Sequence, residues 1–190
     1  MSQNKIRNIL LHEPIVPVVK INALEEVRPL ISFLKEKKIN CIEITLRTEC
    51  AYDAIKLARE YCGDEFKVGA GTLVNSKQLN KLVDIGVDFI VLPGLQKELI
   101  GSLKEINIPF LPGVMTPSEI IQAHNLGWDT LKFFPANVAG GIKALKTYLQ
   151  VFPQLKFCPT GGISKENYLE YLSLENVISV GGSWVQKELK

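Results

Sequence analysis

The chain has 190 residues, 46% hydrophobic and 22% charged, with a formal net charge of +2, a balance that suits one domain with a sizeable core. So small a charge, with no basic run interleaved with aromatics, argues against nucleic acid or a membrane surface as partner. No apolar run approaches the roughly 18–20 residues of a membrane span.

MSQNKIRNILLHEP opens the chain without an apolar h-region or cleavage site, so the cytoplasm is the expected location. Its first part reads as an N-terminal helix. After it come short β-branched runs at IVPVV (15–19), CIEITL (41–46), FKVGAGTL (66–73) and FIVLPG (89–94). PFLPGV (109–114), TLKFFP (130–135), KFCPTGGI (156–163) and VISVGG (177–182) follow, and the starts are about 20–26 residues apart. Helical segments separate them, among them TECAYDAIKLAREY. Two others open on a capping residue and close on Gly: Asn75 to Gly86 and Thr116 to Gly127.

Eight such units predict a single α/β domain over residues 1–190, a (β/α)8 TIM barrel. The alternative, a doubly wound open sheet, is disfavoured by the even spacing and by the lack of a Gly-x-Gly-x-x-Gly turn after the first run. After Trp184 only VQKELK remains, so the eighth helix is expected to be short or missing. The four cysteines, at 41, 50, 62 and 158, form no CxxC pair, which argues against a disulfide framework. His12 and His124 sit in apparent helices without a second ligand at i+3 or i+4, so no metal is expected.

A barrel gives the alternation in CIEITLR a particular meaning. Ile42, Ile44 and Leu46 share one face, Glu43, Thr45 and Arg47 the other. Both faces of a barrel strand are covered, so the apolar face goes to the helices and the polar one inward. Charges there are costly unless paired or functional, and Arg47 lies at the C-terminal end, where barrel chemistry sits. By the same parity Lys132 points inward from TLKFFP. An enclosed lysine loses the hydration of its charged form, and a neutral amine can attack a carbonyl to form a Schiff base. The plainer reading is a lysine that snorkels to the rim or pairs with a carboxylate. Glu43 fits either view, as proton shuttle or as counter-ion.

The seventh and eighth runs end in PTGGIS and VGGSW, placing glycine pairs in the loops where barrels often hold phosphate. Thr160 and Ser183 add hydroxyl donors, and Ser164 is positioned to cap a following helix. Thr72 could bond a substrate carboxylate beside Arg47, whose fork suits that group, or simply cap a turn. Pro93 occupies the end of the fourth run. Lys20 reads as a rim lysine, and Thr45 as interior packing beneath the site.

IEITLRTECAYDAI, VGAGTL, PGVMTPSE, LKFFPAN, FCPTGGIS and VGGSW, in this order, resemble the 2-keto-3-deoxy-6-phosphogluconate (KDPG) aldolase family, which includes 4-hydroxy-2-oxoglutarate aldolases. The resemblance implies a class I aldolase with no metal or other cofactor. Its substrates would be the phosphorylated six-carbon sugar acid, split to pyruvate and glyceraldehyde 3-phosphate, and 4-hydroxy-2-oxoglutarate, split to pyruvate and glyoxylate. It places the Schiff-base lysine on Lys132, the acid/base on Glu43 and the pyruvate-carboxylate contacts on Arg47 and Thr72. Phosphate contacts fall on Gly161, Gly162, Gly181, Gly182 and Ser183, with Pro93, Phe134 and Thr160 lining the pocket. A homotrimer is implied. The chain departs from the family in its short C-terminus, which leaves the wall near the last and first strands to be covered by the N-terminal segment or by a neighbouring subunit. Two rival readings are a phosphosugar isomerase or epimerase with Glu43 as base, and a non-catalytic sugar-phosphate binder.

Overall fold

The computed structural model describes residues 2–189; Met1 and Lys190, the outer ends of the N-terminal helical segment and of VQKELK, lie outside the described residues. The strands are β1 (Ile15–Val19), β2 (Cys41–Thr45), β3 (Lys67–Gly71), β4 (Phe89–Val91), β5 (Phe110–Leu111), β6 (Gly113–Val114), β7 (Thr130–Phe133), β8 (Lys156–Pro159) and β9 (Val180–Gly182). Their ladders are all parallel. They form a six-stranded sheet in the order β5-β4-β3-β2-β1-β9 and a three-stranded sheet β6-β7-β8.

PFLPGV, expected as one strand, is therefore two. Pro112 divides it because it has no N–H to give to a ladder, although its carbonyl accepts from Lys132 N at 2.8 Å. At the other seam, parallel bridges Phe157↔Val177 and Thr160↔Gly181 join β8 to the β9 segment. The architecture is α/β, a curled parallel sheet of the TIM-barrel-like class with helices on its outside.

Periodicity explains the larger helices, α1 (Ser2–His12), α2 (Val27–Glu36), α3 (Ala51–Cys62), α4 (Ser76–Ile85), α5 (Lys97–Glu105), α6 (Pro117–Asn125) and α7 (Gly141–Val151). In α2, Val27, Leu30, Ile31 and Leu34 repeat at helical spacing and are buried. They join Ile42 and Ile44 of β2 in the cluster between sheet and helices. Each such side chain contributes about 1.5–3 kcal/mol on full burial. Asn75 caps α4 through Gln78 N, and Gly86 ends it at φ 73°, as the sequence led us to expect.

Thr116 and Glu119 form a capping box at the start of α6. Burial pushes the Glu119 carboxyl up, but hydrogen bonds from the Met115 and Thr116 N–H groups and the Thr116 hydroxyl outweigh it and hold the group below its ordinary value. A lowered folded-state value means support that is complete above the ordinary carboxylate range and is lost as pH falls through the lowered one. Glu119→Ala is expected to cost about 1 kcal/mol in urea unfolding at neutral pH. The difference from wild type should shrink in acid; a difference that persists below the lowered value would contradict the assignment.

A second, inner cluster holds Val16, Cys41, Phe89, Val91, Leu111 and Cys158, closed from below by Ile6 and Leu10 of α1. The polar face of α1 works at the β5–β7 gap. Gln3 donates to Phe110 O at 3.2 Å and accepts from Thr130 N at 3.0 Å, bridging backbone groups of the two strands. Arg7 donates to Thr130 Oγ1 and pairs with Asp129. The N-terminal segment thus plugs the base of the sheet, and the β9–β1 wall has helical cover of its own. That wall is met by α8 (Tyr168–Leu172) and by the stub α9 (Trp184–Lys187). Tyr168 and Trp184 lie with ring centroids 5.7 Å apart. The Gln186 side chain accepts from Lys20 N and donates to Lys20 O, extending the end of β1 as a strand would.

Among the described residues no helix is long and apolar enough to cross a membrane.

Candidate active site

Lys132 sits near the C-terminal end of β7, in register with Gly113 on β6 and Cys158 on β8. Glu43 sits on β2, in register with Val18 and Gly69. Both face inward and are almost wholly enclosed, at 5% and 3% exposure. Lys132 Nζ donates to Glu43 Oε1 at 3.3 Å. The same Nζ lies 5.2 Å from the centroid of the Phe134 ring, a range in which the ring face attracts a cation. A pair so deeply placed is weak evidence of stability, since desolvation offsets the Coulomb gain.

Beneath this pair the interior is inert. Burial pushes the Cys158 thiol up to about 12, and the nearby Lys132 charge offsets this only in part. Burial likewise pushes the Cys41 thiol well above its ordinary value, so it fills space and is no thiolate nucleophile. Thr45 is buried and donates to Val19 O at 2.8 Å, the interior role expected of it.

At the rim, Arg47 Nε donates to Thr72 Oγ1 at 3.2 Å. Arg47 is exposed at this rim, two residues past the end of β2 at Thr45. Thr72 follows β3 with φ 66°. A β-branched residue in the left-handed region is an outlier, and such strain persists only where the surroundings hold it. With Arg47 as donor, the Thr72 hydroxyl proton stays available to an acceptor.

Across the mouth, Gly161 and Gly162 adopt φ of 94° and 74°. Gly161 lies against Pro135, with room for a Cβ only 3.2 Å from it. Thr160 is buried and bridges to Gly181, where its side chain fills the space a Cβ would need. At Gly182 the Trp184 ring does the same. Ser183 is exposed at the start of α9 and caps no helix N–H. Pro93 backs Gly113, the register partner of Lys132. Ser164 differs from expectation. It opens a turn, accepting from Glu166 N at 3.3 Å, while its own N–H bonds Asn167 Oδ1; α8 begins only at Tyr168.

Sequence reasoning missed Asn167, whose side-chain amide donates to Gly162 O at 3.0 Å. The signal for Asn167 was its spacing after the glycine pair. An open cleft of about 460 Å³ lined by Tyr52, Lys56, Lys81 and Asp84 lies on the outer helices and includes neither Lys132 nor Glu43. Among the described residues no group of three or more His, Cys, Asp or Glu could hold a metal ion.

Residues 6–189 match the protein-family model for KDPG and KHG aldolases. The KHG/KDPG aldolase of Escherichia coli K12 is 43% identical over 179 residues, covering 94% of this chain and 83% of that protein. The 2-dehydro-3-deoxy-phosphogluconate aldolase of Dickeya dadantii is 44% identical over 177 residues, covering 93% and 83%. A crystal structure of KDPG aldolase from Legionella pneumophila, with pyruvate captured at low pH as a covalent carbinolamine intermediate, superimposes with a TM-score of 0.91. Its identity is 40%, and the match spans 96% of this chain and 91% of that one. The 2-keto-3-deoxy-6-phosphogluconate aldolase of Zymomonas mobilis with 3-phosphoglycerate gives a TM-score of 0.91 at 37% identity, covering 96% and 86%. With the enclosed lysine–glutamate pair and the rim glycines in place, these matches show that the chain belongs to the KDPG and KHG aldolase family.

Proposed function

We propose that this chain is a class I aldolase that cleaves 2-keto-3-deoxy-6-phosphogluconate to pyruvate and glyceraldehyde 3-phosphate, and 4-hydroxy-2-oxoglutarate to pyruvate and glyoxylate. The observation that carries the reading is the enclosed Lys132 Nζ held 3.3 Å from Glu43 Oε1. A nucleophile and a proton acceptor within reach of one another make up the minimal pair for Schiff-base chemistry.

In this mechanism Lys132 Nζ attacks the C2 ketone, forming a C–N bond, and Glu43 relays protons while the carbinolamine loses water. The iminium that results draws electrons from C3. Glu43 takes the C4 hydroxyl proton, C4 becomes the aldehyde carbon, and the C3–C4 bonding pair moves into the enamine. After the aldehyde leaves, C3 of the enamine accepts a proton, and water hydrolyses the pyruvate iminium from Lys132. Arg47 and Thr72 hold the carboxylate. Gly161, Gly162, Gly181, Gly182 and Ser183 hold the phosphate, with Pro93, Phe134 and Thr160 around the substrate. Gripping both ends aligns the C3–C4 bond with the iminium π system.

The bridges at both seams support a single (β/α)8 barrel over residues 1–190 in which the two sheets close one wall. A cytoplasmic homotrimer follows from the resemblance. Sedimentation equilibrium should give three times the chain mass, a monomer would exclude the trimer, and cell fractionation tests the location.

Incubation with the phosphorylated substrate should release pyruvate and glyceraldehyde 3-phosphate in equal amounts, undiminished after exhaustive chelation. Isomerised or epimerised sugar phosphate without pyruvate would establish the isomerase reading instead. Activity lost on chelation and restored by a divalent ion would exclude the metal-free mechanism.

A further inference from the structure

We infer that Gly71 is a positioning residue for Glu43: the space left by its missing side chain seats the carboxylate oxygen that faces Lys132. The inference rests on the aldolase reading above and concerns a residue that reading leaves without a role. A Cβ built on Gly71 would stand 2.6 Å from the Glu43 carboxyl carbon and 2.7 Å from its Cγ, and would overlap Oε1. Oε1 is the very atom that accepts from Lys132 Nζ. Any side chain at position 71 therefore competes with the proton-transfer contact itself.

The demand for glycine is one of space, since Gly71 is not among the glycines at positive φ. The obstructing atoms belong to the end of a side chain, so the strand need not move; the carboxylate must. Gly69, one inward position earlier on β3, meets the Phe89 ring instead, so the two inward glycines of VGAGT serve different neighbours. Thr72 follows directly and accepts from Arg47 Nε. One turn of chain thus seats the proton shuttle and anchors the carboxylate clamp.

Gly71→Ala should fold with wild-type circular dichroism and a cooperative melt. Its kcat and its rate of borohydride-trapped pyruvate adduct should fall roughly 10²-fold, the scale of a misplacement of about 1 Å, with KM little changed. Glu43→Asp draws the carboxylate back from position 71. Adding Gly71→Ala to Glu43→Asp should therefore lower turnover by no more than about threefold beyond Glu43→Asp alone. Gly71→Ala at near wild-type kcat, or losses that multiply in the double variant, would overturn the inference. Should Gly71→Ala fold poorly, restored folding in the double variant supports a clash with the carboxylate, and continued misfolding overturns it. The outcomes separate cleanly: no adduct on the wild-type chain refutes the aldolase reading, whereas a normal wild type with a fully active Gly71→Ala refutes only the role of Gly71.

Discussion

Lys132→Ala is expected to abolish aldol cleavage, lowering kcat by roughly 10⁴–10⁶-fold, the scale of losing a covalent nucleophile. Every step of the mechanism passes through the bond to Nζ. Among the described residues Glu43 is the one carboxylate that Nζ touches, and the centre is too enclosed for a surface lysine to substitute. The variant should also be less stable, by about 3–5 kcal/mol, because it leaves the Glu43 carboxylate buried without its counter-charge. Activity must therefore be read on protein whose melt remains cooperative, in parallel with urea unfolding. Turnover within tenfold of wild type, an estimate on the order of 1.4 kcal/mol in barrier, would remove Lys132 from the chemistry.

Glu43→Gln should lower kcat by about 10²–10⁴-fold, the usual contribution of a placed acid/base. The substitution keeps the shape of the side chain, so the fold and the position of Lys132 should persist. It removes the group that takes the C4 hydroxyl proton. Pyruvate should still become attached to Lys132, but more slowly, which separates the nucleophile from the proton shuttle. Stopped-flow turnover and timed borohydride quenching provide the two rates. Near-normal turnover would leave Glu43 as a counter-ion only.

The inward face of CIEITLR was legible because strand parity is strict and the eight-unit spacing implied cover on both sides. Glu43 and Thr45 lie where that logic put them. Arg47, two residues past the end of β2, lies exposed at the rim, where its Nε reaches Thr72. Division of the fifth run was legible in principle from Pro112, but a proline at a strand centre can also mark an edge. Helix ends with side-chain caps, at Asn75 and Thr116, were readable as local chemistry. Long-range arrangements were not. Nothing in MSQNKIRNILLH says that Gln3 will bridge Phe110 and Thr130, or in VQKELK that Gln186 will bond Lys20. Gly71 is the sharpest case. In the sequence Gly71 is one residue of a strand run, and its steric meaning emerges only once Glu43 is brought across from β2.

The central claim is that Lys132 forms the covalent bond to substrate. Pyruvate and borohydride, followed by intact-mass spectrometry and peptide mapping, test it most directly. The expected result is one pyruvate-sized reduced adduct per chain, located on Lys132 and missing from Lys132→Ala. No adduct on the wild-type chain, or an undiminished adduct on Lys132→Ala, would contradict it.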